Sequence, residues 1–79
     1  MLRNYTARYI RTASGYMGQV IEWPEVITEG RNLDECREML RDALTEMLAA
    51  YRDLRKRPPA PGHLLEPLSV EVDHGRKRA

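Results

Sequence analysis

Residues Gly15 to Cys36, GYMGQVIEWPEVITEGRNLDEC, constrain the fold of this chain more than any other stretch. They place a short strand pattern, a proline-marked turn, a second strand pattern, a glycine and a helix start in a fixed order. Tyr16 to Ile21 alternates, with Tyr16, Gly18 and Val20 on one side and Met17, Gln19 and Ile21 on the other. Trp23-Pro24-Glu25 interrupts the pattern, because proline donates no ladder hydrogen bond, so a bend or bulge is expected there. Val26-Ile27-Thr28 reads as a short strand that stops at Gly30, where a positive φ is expected. Asn32 is a good N-cap, and Glu35 three residues on completes a capping box.

The flanking sequence extends this order on both sides. Tyr5 to Thr12 alternates as a half-buried strand, and Ala13-Ser14-Gly15 supplies the turn chemistry of an antiparallel hairpin. After the cap, Leu33, Cys36, Leu40, Ala43, Leu44, Met47, Leu48 and Tyr51 form one apolar stripe at helical period. Glu38, Arg41, Asp42 and Glu46 take the opposite face. The helix is predicted over Leu33 to Arg57, with cations crowding its negative end and Pro58-Pro59 stopping it. A proline-rich linker over 58–66 leads to a last strand pattern, with Leu68, Val70 and Val72 alternating with Ser69, Glu71 and Asp73. His74 to Ala79 reads as a flexible polar tail. The predicted fold class is therefore α+β, ordered β-β-β-α-β: an antiparallel sheet with one long helix packed on one face. One domain is expected over 1–79, with its ordered core at about 4–73.

Composition narrows the class of function. The chain has 79 residues, 42% hydrophobic and 32% charged, which is ordinary for a water-soluble domain. Thirteen basic and 12 acidic residues leave a net charge of +1, so bulk charge does not announce nucleic-acid binding. The basic runs Arg52-Asp53-Leu54-Arg55-Lys56-Arg57 and Arg76-Lys77-Arg78 have no interleaved aromatic residues for base stacking. A lone Cys36 forms no intrachain disulfide, no stretch is apolar enough to span a membrane, and the N-terminus lacks a signal core. A cytoplasmic location is the expectation. A half-covered sheet in so small a chain also points to self-association or a permanent partner.

Chemistry-bearing constellations are sparse. His63 and His74 stand apart, and Cys36 lies on the apolar stripe; no CxxC, glycine-rich phosphate loop or HExxH is present. Ser14 and Ser69 have no neighbouring His–acid pair. Glu22, Glu25, Glu29, Glu71 and Asp73 would make a divalent-metal nuclease site only if the fold drew them together, and solvated acids are the expected reading. No catalytic residue, metal or cofactor is therefore expected. Trp23, beside Pro24 in the turn, either plugs the end of the core or anchors a partner.

With these residues in view, the chain resembles the HicB-like antitoxins. The resemblance rests on Gly15-Tyr16-Met17-Gly18-Gln19-Val20, Glu22-Trp23-Pro24, Val26-Ile27-Thr28-Glu29-Gly30 and Asn32-Leu33-Asp34-Glu35, in that order and spacing, and covers roughly residues 4–73. It implies a partial RNase H-like fold without a working active site. It further implies a noncatalytic inhibitor that covers the active face of a small basic mRNA-cleaving toxin of the HicA type. Such proteins are usually dimers or tetramers, so a homodimer or homotetramer is implied here. On this reading Glu22, Trp23, Pro24, Glu25 and Glu29 form the partner-binding region, and Gly15, Gly30, Asn32 and Glu35 serve turns and caps. The chain departs from the pattern at Trp23, where Leu is usual, and at Glu25, where Gly is usual. No DNA-binding domain follows Asp73, so direct DNA binding is not expected. The alternative is an orphan self-associating domain, a scaffold or ligand-binding oligomer, with no toxin partner.

Overall fold

The computed structural model describes residues 2–73. Three strands and one helix follow in chain order: β1 (Ala7–Thr12), β2 (Gly15–Val20), β3 (Trp23–Gly30) and α1 (Leu33–Asp53). The strands form one antiparallel sheet in the order β1-β2-β3, with β2 central. This is the predicted α+β arrangement of three strands followed by a long helix.

The helix covers one face of the sheet. Gly18 shows which face: a Cβ built there would lie 3.0 Å from Cys36 Sγ and 3.1 Å from the Tyr9 ring. Tyr5, Tyr9 and Val20 therefore face α1, as sequence parity alone could not decide. Val20, Trp23, Val26 and Leu40 form the buried core, flanked by Tyr5, Tyr9, Ala43, Leu44, Met47, Leu48 and Tyr51. The predicted helical stripe is the stripe that packs.

Several expectations need correction. Strand β3 begins at Trp23, not Val26, and the turn falls on Ile21-Glu22. Pro24 is tolerated because β3 is an edge strand, where one side of the backbone has no ladder to complete. The irregularity foreseen near proline is a register shift opposite Gln19/Val20. Gly30 does not adopt positive φ; Gly15 does, at 153°. Gly30 is needed for close approach instead, since a Cβ would sit 2.5 Å from the Cys36 nitrogen.

The helix ends at Asp53, short of the expected Arg57. Arg55 takes a left-handed conformation, φ 57°, and the Lys56 N–H donates to the Tyr51 carbonyl at 2.8 Å while the Arg55 N–H donates to that of Arg52 at 3.0 Å. That pair of bonds is a Schellman cap, so termination precedes the prolines. At the other end, Asn32 Oδ1 accepts from the Glu35 N–H at 2.8 Å, as predicted. Glu35 reaches one residue further back than a capping box requires, accepting from the Arg31 N–H at 2.7 Å.

The fourth strand is absent: residues 68–73 pair with no strand. Leu68, Val70 and Val72 are 91%, 79% and 64% exposed. Their alternation is strand-like, but a strand exists only with a ladder partner. The tail 74–79, including His74 and Arg76-Lys77-Arg78, lies outside the described residues.

Candidate functional site

The face of the sheet turned away from α1 is the candidate site. It is formed by the residues whose parity opposes Gly18: Ile10 from β1, Met17 and Gln19 from β2, and Ile27 and Glu29 from β3. Ile10 pairs with Met17, Met17 with Glu29, and Gln19 with Ile27, so these side chains are direct cross-strand neighbours. Ile10 and Ile27 are exposed and Met17 is half-buried. The result is a small apolar strip with Glu25 and Glu29 exposed on either side of Ile27.

A polar string crosses this face. Arg8 Nε donates to Gln19 Oε1 at 3.0 Å, and Gln19 Nε2 donates to the Pro24 carbonyl at 2.9 Å. The two bonds fix the Gln19 amide and tie β1 to the start of β3 across the central strand. On this face the cation Arg8 lies on β1, and the carboxylates Glu25 and Glu29 lie on β3. The acidic side continues round the helix, where Asp42 and Glu46 line a shallow groove with Thr28, Met39 and Met47. Sequence reasoning missed Gln19 and this helical contribution. Gly18 itself, a residue with no side chain where a helix must approach, was the available signal.

The predicted partner-binding residues divide. Pro24, Glu25 and Glu29 are exposed and available. Trp23 is not: it is 1% exposed, with its ring 4.7 Å from that of Tyr51, edge-on at 68°, and 6.4 Å from that of Tyr5. Its side chain closes the core, so the partner-anchor reading is corrected to packing. Glu22 is half-buried and engaged within the fold. Its two carboxylate oxygens accept from the Thr6 N–H and the Thr6 hydroxyl, each at 2.8 Å, latching the β2–β3 turn to the chain before β1. Partial burial pushes its carboxyl upward, but the hydrogen bonds from Thr6 outweigh this and hold it below the usual range.

The other acids do not converge on these. Glu71 and Asp73 lie on the exposed segment beyond the helix, and among the described residues no group of three or more His, Cys, Asp or Glu is placed to hold a metal ion. Cys36 is buried beneath Gly18 and Gly30. Burial, then the nearby Glu29 and Glu35 charges, push its thiol pKa up, which disfavours the nucleophilic thiolate. Among the described residues, no helix is long and apolar enough to cross a membrane.

No family model matches the chain, and no curated protein matches it significantly. The fold and the surface chemistry therefore carry the functional reading.

Proposed function

We propose that this protein is a noncatalytic, antitoxin-like binding module that neutralises a small basic mRNA-cleaving toxin of the HicA type by covering its active face. The observation that carries the reading is the acid-flanked apolar strip, Glu25, Ile27 and Glu29 beside Met17, on an open sheet face. An RNA-cleaving partner must present cations where its substrate's phosphates bind, and exposed carboxylates around an apolar centre complement such a surface. Charges at the rim of an interface chiefly accelerate association and make it salt-sensitive. The inhibitor acts sterically, so it needs no catalytic group, metal or cofactor. Membership of the HicB-like family, a cytoplasmic location and a homodimeric or homotetrameric state belong to the same proposal.

The test is inhibition of RNA cleavage by a purified small basic ribonuclease encoded beside this protein. The wild-type chain should inhibit it stoichiometrically. Glu25→Lys plus Glu29→Lys should weaken inhibition by about tenfold or more at low salt while leaving the circular dichroism unchanged. Glu22→Lys is the wrong probe, because it breaks the Thr6 latch and confounds binding with folding. Absence of inhibition by the wild-type chain removes the toxin reading. It would favour the second one, an orphan self-associating scaffold or ligand-binding oligomer, to which the exposed apolar segment after the helix lends its own support.

A further inference from the structure

The segment from Leu64 to Asp73 is the least explained part of the molecule. Leu64 and Leu68 are about nine-tenths exposed, and Leu65, Val70 and Val72 are exposed as well. Isolated apolar residues on a surface are normal, but a run of them on one segment marks an interaction site. The segment also stands off the body. The molecule measures 60 × 29 × 21 Å with a radius of gyration of 17.2 Å, where a compact chain of this length has roughly 12 Å.

The body carries a matching vacancy on the flank of β1. The Thr6 carbonyl accepts from the Ile21 N–H, so even-numbered residues of β1 turn their backbone groups toward β2. By the antiparallel alternation, Ala7, Tyr9 and Arg11 turn theirs to the outer edge, with no neighbouring strand. Beneath that edge lies a cavity of about 170 Å³ between β1 and α1, floored by Tyr5, Tyr9, Leu40 and Leu44 and rimmed by Arg37 and Arg41. It continues along the helix toward Arg52 and Lys56.

The segment and the groove agree in period, length and charge. Leu68 to Asp73 alternates apolar and polar as a half-buried strand must. It is as long as the six-residue β1. With the apolar residues turned into the groove, Glu66 shares their parity and faces the cationic rim, while Glu71 faces the side of the sheet that carries Arg8. The other sheet edge is unsuitable, because β3 carries Pro24, which cannot donate, and Glu25 and Glu29, which would repel the segment.

The connection decides whose groove is filled. The Tyr5 hydroxyl donates to the Pro59 carbonyl at 2.8 Å, pinning the linker to the body. Pro58, Pro59 and Pro61 then hold the backbone extended, and Gly62, at φ 100° with nothing within 4 Å of its Cβ position, is an unencumbered hinge. An extended linker that carries a strand outward from a vacant edge, with a hinge to aim it, is the geometry of exchange between identical chains. We infer that residues 64–73 form a strand arm that docks along β1, over the β1–α1 groove, of a second copy of this chain, so that two copies exchange arms. This deepens the proposed self-association by naming its contact, and it stands or falls separately from inhibition of a toxin.

The test uses the full chain without any toxin. Sedimentation should give a species of about twice the 9.2 kDa chain mass or a multiple of it. In a sample mixing isotope-labelled and unlabelled chains, filtered nuclear Overhauser spectra should show contacts between chains from the Val70 and Val72 methyls to the Tyr5 and Tyr9 rings. Val70→Asp plus Val72→Asp should raise the dissociation constant of self-association by roughly a hundredfold, since it places carboxylates in an apolar groove. Helical circular dichroism should stay unchanged. A strictly monomeric chain overturns the inference. So do arm–groove contacts that are wholly intramolecular, and so does an oligomer in which the arm makes no contact with β1 or α1. Because the filtered spectra need no variant, the inference stays falsifiable even if the double substitution fails to fold.

Discussion

At the residue scale, two side chains show how position overrides type. Glu22 ends the β2–β3 turn and Trp23 begins β3, yet one staples the backbone of Thr6 and the other closes the core. Truncating Trp23 to Ala should cost about 3–5 kcal/mol, the range for removing a large buried aromatic. A domain of this size has little stability beyond that, so Trp23→Ala is expected to show no cooperative thermal transition above room temperature. Glu22→Gln, which keeps the shape but weakens both bonds from Thr6, should lower stability by about 1–2 kcal/mol in urea unfolding. Cys36 gives a gentler probe. Its buried thiol, with the pKa raised by burial and nearby carboxylates, should react with a disulfide reagent at pH 8 far more slowly in the native state than in urea. Equal rates in the two states would show that α1 does not cover Gly18 as described.

At the element scale, the helix is governed by its ends. Asn32 and Glu35 satisfy the first turn, and the Arg31 guanidinium and N–H beside Glu35 bring its carboxyl down to about 2 from the ordinary 4.5. A carboxyl whose pKa is lowered by folding stabilises the native state above its unfolded pKa and loses that contribution as protons bind. Stability should therefore fall as pH drops from about 4.5 toward about 2, with the lowered Glu22 carboxyl adding to the same trend. Because Arg31 is exposed, added salt should shrink the part due to Glu35. Asn32→Ala should cost about 1 kcal/mol at any pH in this window. A pH-independent melting temperature over that range would refute the capping assignment. The start of this helix was legible because an N-cap is chemically specific. Its end was not: Arg55, rather than a glycine, takes the left-handed position, and no residue type announces that. The beginning of β3 was hidden likewise, because proline reads as a strand breaker until the strand is known to be an edge. Of the site, the exposed acids Glu25 and Glu29 were readable, whereas the neighbours that pair with Ile27 and Glu29 across the sheet depend on register.

At the scale of the whole molecule, the alternation of residues 68–73 was legible and its partner was not, because strand pairing is a long-range fact. The body distributes charge in the same divided way. The β1 flank of the helix is lined by Arg37, Arg41, Arg52 and Lys56, and the β3 flank by Asp42 and Glu46. An acidic, apolar arm fits the first flank, which leaves the acidic flank and the open sheet face free for a basic partner. The two proposed interactions thus use different surfaces and need not compete. Arm exchange also couples folding to concentration, since apolar surface exposed in one copy is covered only by another. The melting temperature should therefore rise with protein concentration. Val70→Asp plus Val72→Asp should flatten that dependence while leaving the melting temperature at the lowest concentration nearly unchanged, because the arm is almost without packing in the single chain. A wild-type melting temperature that is constant across a hundredfold range of concentration, measured down to micromolar chain, would leave the arm without a partner copy.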